Sequence, residues 1–295
     1  MKSRVALAVI VALWLQTLLL GCSSNECGDN SVCGDRNAEN NNGSGVPAPE
    51  VSGLPFAFTV KENDPWDACD GGFGRVFLKP TSLDDIAPHL HSHESGQVTS
   101  KQLEVESKDL AAFDRKHGAV AAELATIDVT LQGRSTHAVT IQDITVDVAD
   151  VSVTPKTSIQ VSRSGNCGGA SFSTFLTDLN KDSPKLKFAS GEYDDGRKRV
   201  RGFPVRITES ESEVATITAY ATQGVHDFEF VIHWTGDGVS GETRVAGPDG
   251  KPFSVAAPAD GAARYIYEQD GTFESNRFTL NPQDPLGGLV LIGAS

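Results

Sequence analysis

Basic residues are scarce in this chain. Lys and Arg number 25 against 39 Asp and Glu, a formal net charge of −14 at pH 7. That balance excludes nucleic acid as a partner, because such binding draws its affinity from Lys and Arg displacing counterions from phosphate. It also excludes adhesion to anionic lipid by charge alone. No self-similarity recurs at a period of about 20–50 residues, which removes solenoids and propellers. The strand and helix alternation of βαβ units is missing as well, and with it the sharp strand-to-helix turn that carries a hydrolase nucleophile. The apolar run beginning at Val5 is broken by Gln16 and Thr17 and falls short of the ~20 residues of a membrane-spanning helix.

What that run does resemble is a secretory signal peptide. Lys2 and Arg4 make a basic start, and the run closes on Leu19-Leu20-Gly21-Cys22, with a small residue before the cut. The four residues resemble a bacterial lipobox, whose cysteine is acylated on sulfur and becomes the first residue of the mature chain. Residues 1–21 are thus expected to be removed, taking Lys2 and Arg4 but no acid and leaving 23 bases against 39 acids, near −16. With palmitate-type acyl chains on Cys22 burying ~0.8 kcal/mol per methylene, the expected partner is the lipid bilayer, at the outer face of the cytoplasmic membrane. The acidity keeps the body soluble and off that membrane.

Residues 22–53 read as a lipidated flexible tether, rich in Asn, Ser, Gly and Asp, with the run Asn40-Asn41-Asn42-Gly43-Ser44-Gly45 and no apolar period. Four further cysteines, Cys27, Cys33, Cys69 and Cys167, stand in an exported and oxidising setting, where they allow three connectivities. The most economical is Cys27 with Cys33 inside the tether and Cys69 with Cys167 across the body.

Residues 54–295 are expected to form one β-rich extracytoplasmic domain, with a sub-boundary near 118–124. Alternation is clearest over Thr126–Gln132 and Val139–Val148, where β-branched residues take one face and polar residues the other. Gln132–Ala138 reads as a hairpin connection between them. Further strands are expected at Ser158–Ser162, Phe172–Thr177, Val214–Thr222, Phe228–Trp234, Glu242–Ala246 and Tyr265–Glu268. Asp-Gly pairs at 195–196, 237–238, 249–250, 260–261 and 270–271 supply turn residues that tolerate positive φ. Ser107–His117 is the one helical segment, with basic residues in its last turn and Gly118 to end it. The expected fold is an all-β, immunoglobulin-like sandwich with one short helix, its Trp66 and Trp234 in the core.

Several clusters suggest chemistry. His89, His91 and His93 alternate, and in an extended strand three imidazoles on one face resemble a zinc shell with an open position. A flat strand spaces such residues nearly 7 Å apart, so chelation needs a bend. Asp178-Leu179-Asn180-Lys181-Asp182 begins like a calcium loop but has Ser183 where glycine is wanted and Ala189 where glutamate is wanted; an Asn-Asp turn explains it. Gly165-Asn166-Cys167-Gly168-Gly169 imitates a nucleophile elbow without the fold to carry it. Arg197-Lys198-Arg199-Val200-Arg201 is a dense basic cluster, neutralised by Glu192, Asp194 and Asp195 just before it.

Val129–Val148, Cys167-Gly168-Gly169, and the stretch from Phe203 through Trp234 to Phe253 resemble a group of exported actinobacterial proteins with no known activity, over much of residues 65–270. The resemblance implies a single exported β-domain and a structural role for Cys69 and Cys167, and no catalytic residue. The expected function is a membrane-anchored, non-enzymatic binding or structural module at the cell envelope, without a cofactor, meeting an envelope protein or glycan. The alternative is a zinc-binding protein or metal-dependent hydrolase using His89, His91 and His93.

Overall fold

Ile127, Val129 and Leu131 on one strand, and Phe228, Phe230 and Ile232 on another, are completely buried, while Asp128, Thr130 and Glu229 between them are partly exposed. Period-two alternation of this kind requires two sheets that each turn one face inward. A computed structural model describes residues 53–64, 66, 74–90, 100–163, 173–191, 198, 202–247, 250–268, 272–276, 278–280 and 289–291. In chain order these contain β1 (Phe56–Glu62), β2 (Arg75–Phe77), α1 (Leu83–Ile86), α2 (Ser100–His117), β3 (Ala119–Ala122), β4 (Leu124–Gly133) and β5 (Val139–Ser152). There follow β6 (Ile159–Arg163), β7 (Ser173–Asp178), β8 (Lys187–Gly191), β9 (Val205–Ile207), β10 (Ser212–Tyr220) and β11 (Val225–Gly236). The last are β12 (Val239–Val245), β13 (Phe253–Ala256), β14 (Ala263–Tyr267), β15 (Phe273–Ser275), β16 (Phe278–Leu280) and β17 (Leu289–Leu291).

The fold is an all-β sandwich. One sheet has the order β1-β4-β10-β7-β8, and the larger runs β15-β14-β6-β2-β3-β13-β11-β5-β9, with β12 sharing the β13 side of β11; β16 and β17 pair separately. Between the two sheets lies a core containing Phe56, Ile127, Leu131, Ile144, Phe228 and Phe253. Phe56 of β1 meets Trp234 of β11 edge to face, with ring centroids 6.0 Å apart. Each such side chain contributes roughly 1.5–3 kcal/mol when fully buried. Three neighbouring pairs, β7/β10, β3/β13 and β6/β14, are parallel. The strand order therefore differs from the all-antiparallel immunoglobulin arrangement, because parallel neighbours need a crossover and the connections here pass through the opposite sheet.

The expected hairpin at Gln132–Ala138 is instead a crossing between sheets: β4 pairs with β1 and β10, β5 with β11 and β9. Alternation records that each strand buries one face, and burial is equally served by facing the other strand across the core. The crossing is tightly held, with Arg134 N–H donating to Pro55 O at 3.1 Å. A Cβ on Gly133 would come within 2.6 Å of Thr208 Cα, so the backbones touch there. The opposite passage, from β3 to β4, turns at Glu123 (φ 62°), whose carboxylate meets Arg264 Nη1 at 2.9 Å. This corner falls within residues 118–124, where a sub-boundary was expected. By contrast, Asp237-Gly238 is the hairpin turn its sequence suggests, both residues at positive φ between β11 and β12.

The helix is longer than Ser107–His117. It starts at Ser100, spans 18 residues, and ends as expected at Gly118 with φ 63°. Its first turns carry no apolar stripe that a periodicity argument could detect. A second, single-turn helix, α1, is held by the capping box of Ser82 and Asp85. Leu110 and Phe113 of α2 pack with Trp66, Phe77, Val161 and Tyr267 in a second core. Tyr267 Oη donates to Leu90 O at 2.6 Å and closes that layer.

Among the described residues β9 covers only Val139–Ile141 of β5, leaving that edge open from Gln142 onward. Open edges invite foreign strands. Irregularities at Gln142 and Ala149 interrupt the β5 register, and Asp143, Asp147 and Asp150 place charge along it.

Candidate functional site

Cys22, Cys27, Cys33, Cys69, Cys167, His91 and His93 lie outside the described residues, as do Arg197, Arg199 and Arg201; Lys198 is exposed. His89 is placed in a 3-10 turn over Ala87–His89. Its Nδ1 contacts Asp109 Oδ2 of α2 at 2.6 Å, and its ring leans on Phe113 at 4.3 Å. Phe113 also stacks on His117 at 4.2 Å, and His117 Nδ1 is 3.1 Å from Thr81 Oγ1. These contacts tie the 3-10 turn to the helix. Among the described residues no three His, Cys, Asp or Glu side chains converge as a metal shell.

The side-chain oxygens of Asp178 and Asn180 are engaged within the protein. Asp178 Oδ1 accepts from Asn180 N–H at 3.1 Å and from Asn180 Nδ2 at 2.7 Å, while Asn180 Oδ1 accepts from Thr222 N–H at 3.0 Å. This is an Asx turn that ties the β7 end to the turn before β11.

That turn forms one wall of a groove at the end of the sandwich, with a volume of about 770 Å³. Leu179, Val148 and His226 line it, with Val151–Val153 on one side and Asn180–Asp182 and Gln223–Gly224 on the other. Two of its valines are strongly exposed, Val151 at 58% and Val153 at 89%. His226 shares the inward face of β11 with Phe228 and Phe230 and is only 3% exposed. Its Nε2 lies 2.8 Å from Gln223 O. A carbonyl can only accept, so Nε2 carries a proton and donates it to Gln223 O. That buried Nδ1 has no hydrogen-bond partner. Apolar Val148, Val151, Val153 and Leu179 share the lining with polar Ser152, Asn180, Lys181, Asp182 and Gln223. Nothing in the sequence separates His226 from other strand polar residues; only the sandwich end makes it a lining group.

Two other polar clusters are built differently. On the outer face of the large sheet, Thr145 Oγ1 is 2.9 Å from His233 Nε2, and His233 Nδ1 is 3.2 Å from Glu242. Beside them Arg244 bridges Asp147 and Glu229 at 2.6 and 3.2 Å. The order hydroxyl, imidazole, carboxylate is that of a nucleophilic triad, yet these side chains lie outside the groove on a solvent-facing ladder across three strands. Cross-strand pairing explains them.

The second cluster lies beneath α2, with Asp114 buried and Arg75 and Glu62 partly buried. Arg75 Nε lies 3.1 Å from Asp114 Oδ2, and Arg75 Nη1 is 3.9 Å from Glu62. Trp66 Nε1 donates to Asp114 Oδ2 at 3.0 Å. The Arg75 Nε–H is not aligned with the carboxylate, so charge rather than a hydrogen bond joins them, and Asp114 Oδ1 has no partner. Burial raises both carboxyls above their ordinary range, and Arg75 offsets part of that rise. The cluster joins β1, β2 and α2 and acts on stability. Protein-family models, curated proteins and solved structures give no match to this chain.

Proposed function

We propose that this protein is an exported lipoprotein, acylated on Cys22, whose sandwich serves as a non-enzymatic binding module at the outer face of the cytoplasmic membrane. The observation that carries the reading is Leu19-Leu20-Gly21-Cys22 after a basic start and an apolar run. The tether of residues 22–53 lets the body stand clear of the bilayer, and the acidic balance suits an envelope protein, glycan or uncharged ligand rather than nucleic acid. Within this reading Cys69 pairs with Cys167 and Cys27 with Cys33, and the groove beside His226 is the ligand site.

Palmitate labelling and fractionation test the anchor. The wild-type chain should take up label and sediment with membranes until detergent is added, while Cys22→Ala should be unlabelled and recovered from the soluble exported fraction. An unlabelled wild type, or Cys22→Ala that stays with the membrane, would sink the reading.

A second reading, zinc binding through His89, His91 and His93, is favoured by one contact. Asp109 holds His89 by Nδ1, as a carboxylate commonly orients a metal-ligating imidazole through its other nitrogen. Elemental analysis of untagged protein should find stoichiometric zinc that is lost in His91→Ala; metal-free protein removes this reading.

A further inference from the structure

The groove at the sandwich end joins apolar side chains to a rim of unspent hydrogen-bonding groups, and we infer that it takes a neutral saccharide. The inference rests on the groove's being the ligand site of the proposed binding module and names the class of its ligand. Leu179 is buried, and Val148 is partly buried against the main core, so the deep part of the lining is held by the sandwich itself. Asp182, Gln223 and Ser152 line the groove as exposed residues, Ser152 from the side opposite the other two. Their side chains form no hydrogen bond or ion pair within the protein. They offer a carboxylate that only accepts, and an amide and a hydroxyl that both donate and accept.

A sugar hydroxyl also donates and accepts, so one ring can serve all three groups. A pyranose with equatorial hydroxyls carries them around its edge and shows C–H bonds on its faces. That division of apolar face and polar perimeter matches the division of the lining. Val151 and Val153 are exposed lining residues, and covering them with the C–H face of a ring removes apolar surface from water. Charge favours a neutral sugar over an acidic one. Lys181 lies 3.5 Å from Asp178, which leaves Asp182 as the unpaired charge beside it and repels a ligand carboxylate. The volume of about 770 Å³ falls within the range of small-molecule sites, about 300–1,000 Å³.

The test uses cellotriose, whose ring hydroxyls are equatorial, with the full chain in detergent and saturation-transfer NMR observed on the sugar. Ring C–H protons should receive saturation from the protein. Asp182→Ala and Gln223→Ala should each raise the Kd about three- to ten-fold, the scale of one hydrogen bond. Both replace exposed side chains without internal partners, so the urea midpoint should stay at the wild-type value. Cellotriose oxidised to carboxylates at its C6 positions should bind more weakly, as should N-acetyl-trialanine amide, a neutral peptide of similar length. No transfer to cellotriose at ~10 mM, ten-fold above a millimolar Kd, would overturn the inference. So would wild-type affinity in both variants, or tighter binding of the oxidised sugar or of the peptide. Palmitate labelling of Cys22 is read separately, so a failed titration with normal labelling removes the saccharide and leaves the anchored module standing.

Discussion

Phe228→Ala is expected to lower the free energy of unfolding by about 3–5 kcal/mol, a large part of the total stability of a domain. Phe228 is completely buried, and its ring centroid lies 5.7 Å from that of Phe230 and 5.6 Å from that of Phe253. Those neighbours are fixed by β11 and β13, whose pairing runs through Phe228 and Phe253 themselves. The strands cannot close over the missing ring without breaking that ladder, so a cavity remains, and lost dispersion adds to lost burial. Urea unfolding followed by Trp fluorescence measures the change. A loss below about 1 kcal/mol, typical of surface positions, would show that these three rings do not pack as one core.

Removing the cation from the buried cluster is the second large effect. Arg75→Met should cost about 3–5 kcal/mol at pH 7, the scale for breaking one side of a buried ion pair. Asp114 and Glu62 would then sit with no opposite charge, Asp114 keeping only its Trp66 hydrogen bond. The pH dependence has a definite sign. Both carboxyls are raised, chiefly by burial, so the folded state binds their protons more tightly than the unfolded state. Their favourable contribution is complete below the ordinary carboxylate range and is lost as pH rises through the raised values. Mild acidification from pH 7 should therefore move the urea midpoint of the wild type upward. It should do so more steeply in Arg75→Met, where the lowering influence of the guanidinium is gone, and less in Asp114→Asn. A wild-type midpoint that falls on acidification, with Asp114→Asn superimposed on it, would contradict the burial of this cluster.

Much of the strand content was legible because burial of one face imposes period two. Thr126–Gln132 and Val139–Val148 lie within β4 and β5, and Phe228–Trp234 lies within β11 with Trp234 packed on the core. β1 was readable too, since Phe56, Phe58 and Val60 alternate, although the strands expected above do not include it. The three-residue strands β2, β9 and β15 are shorter than any periodicity test can resolve. The helix end was legible from Gly118, whereas its start was not, because Ser100–Glu106 has no apolar stripe.

The candidate site was less readable. Alternating histidines drew attention to His89, yet that ring serves a contact with Asp109 and Phe113. His226 is chemically identical and went unnoticed in a strand of aromatic residues. Its place beside a groove arises from distant segments meeting. The Asp178 turn shows the reverse case, since Asn180 is two residues away and local bonding accounts for its oxygens.

The sequence by itself determined the properties that depend on composition and near neighbours: the acidic balance, the lipobox-like start, the β-rich body, the Asp237-Gly238 turn and the helix stop. Only the tertiary structure decided that β4 and β5 face each other across the core instead of pairing, that Arg75 meets acids from β1 and α2, and that His226 lines a groove. The physical reason is common to all three. Alternation states that a face is buried, but what buries it is chosen by long-range packing, which no local pattern encodes.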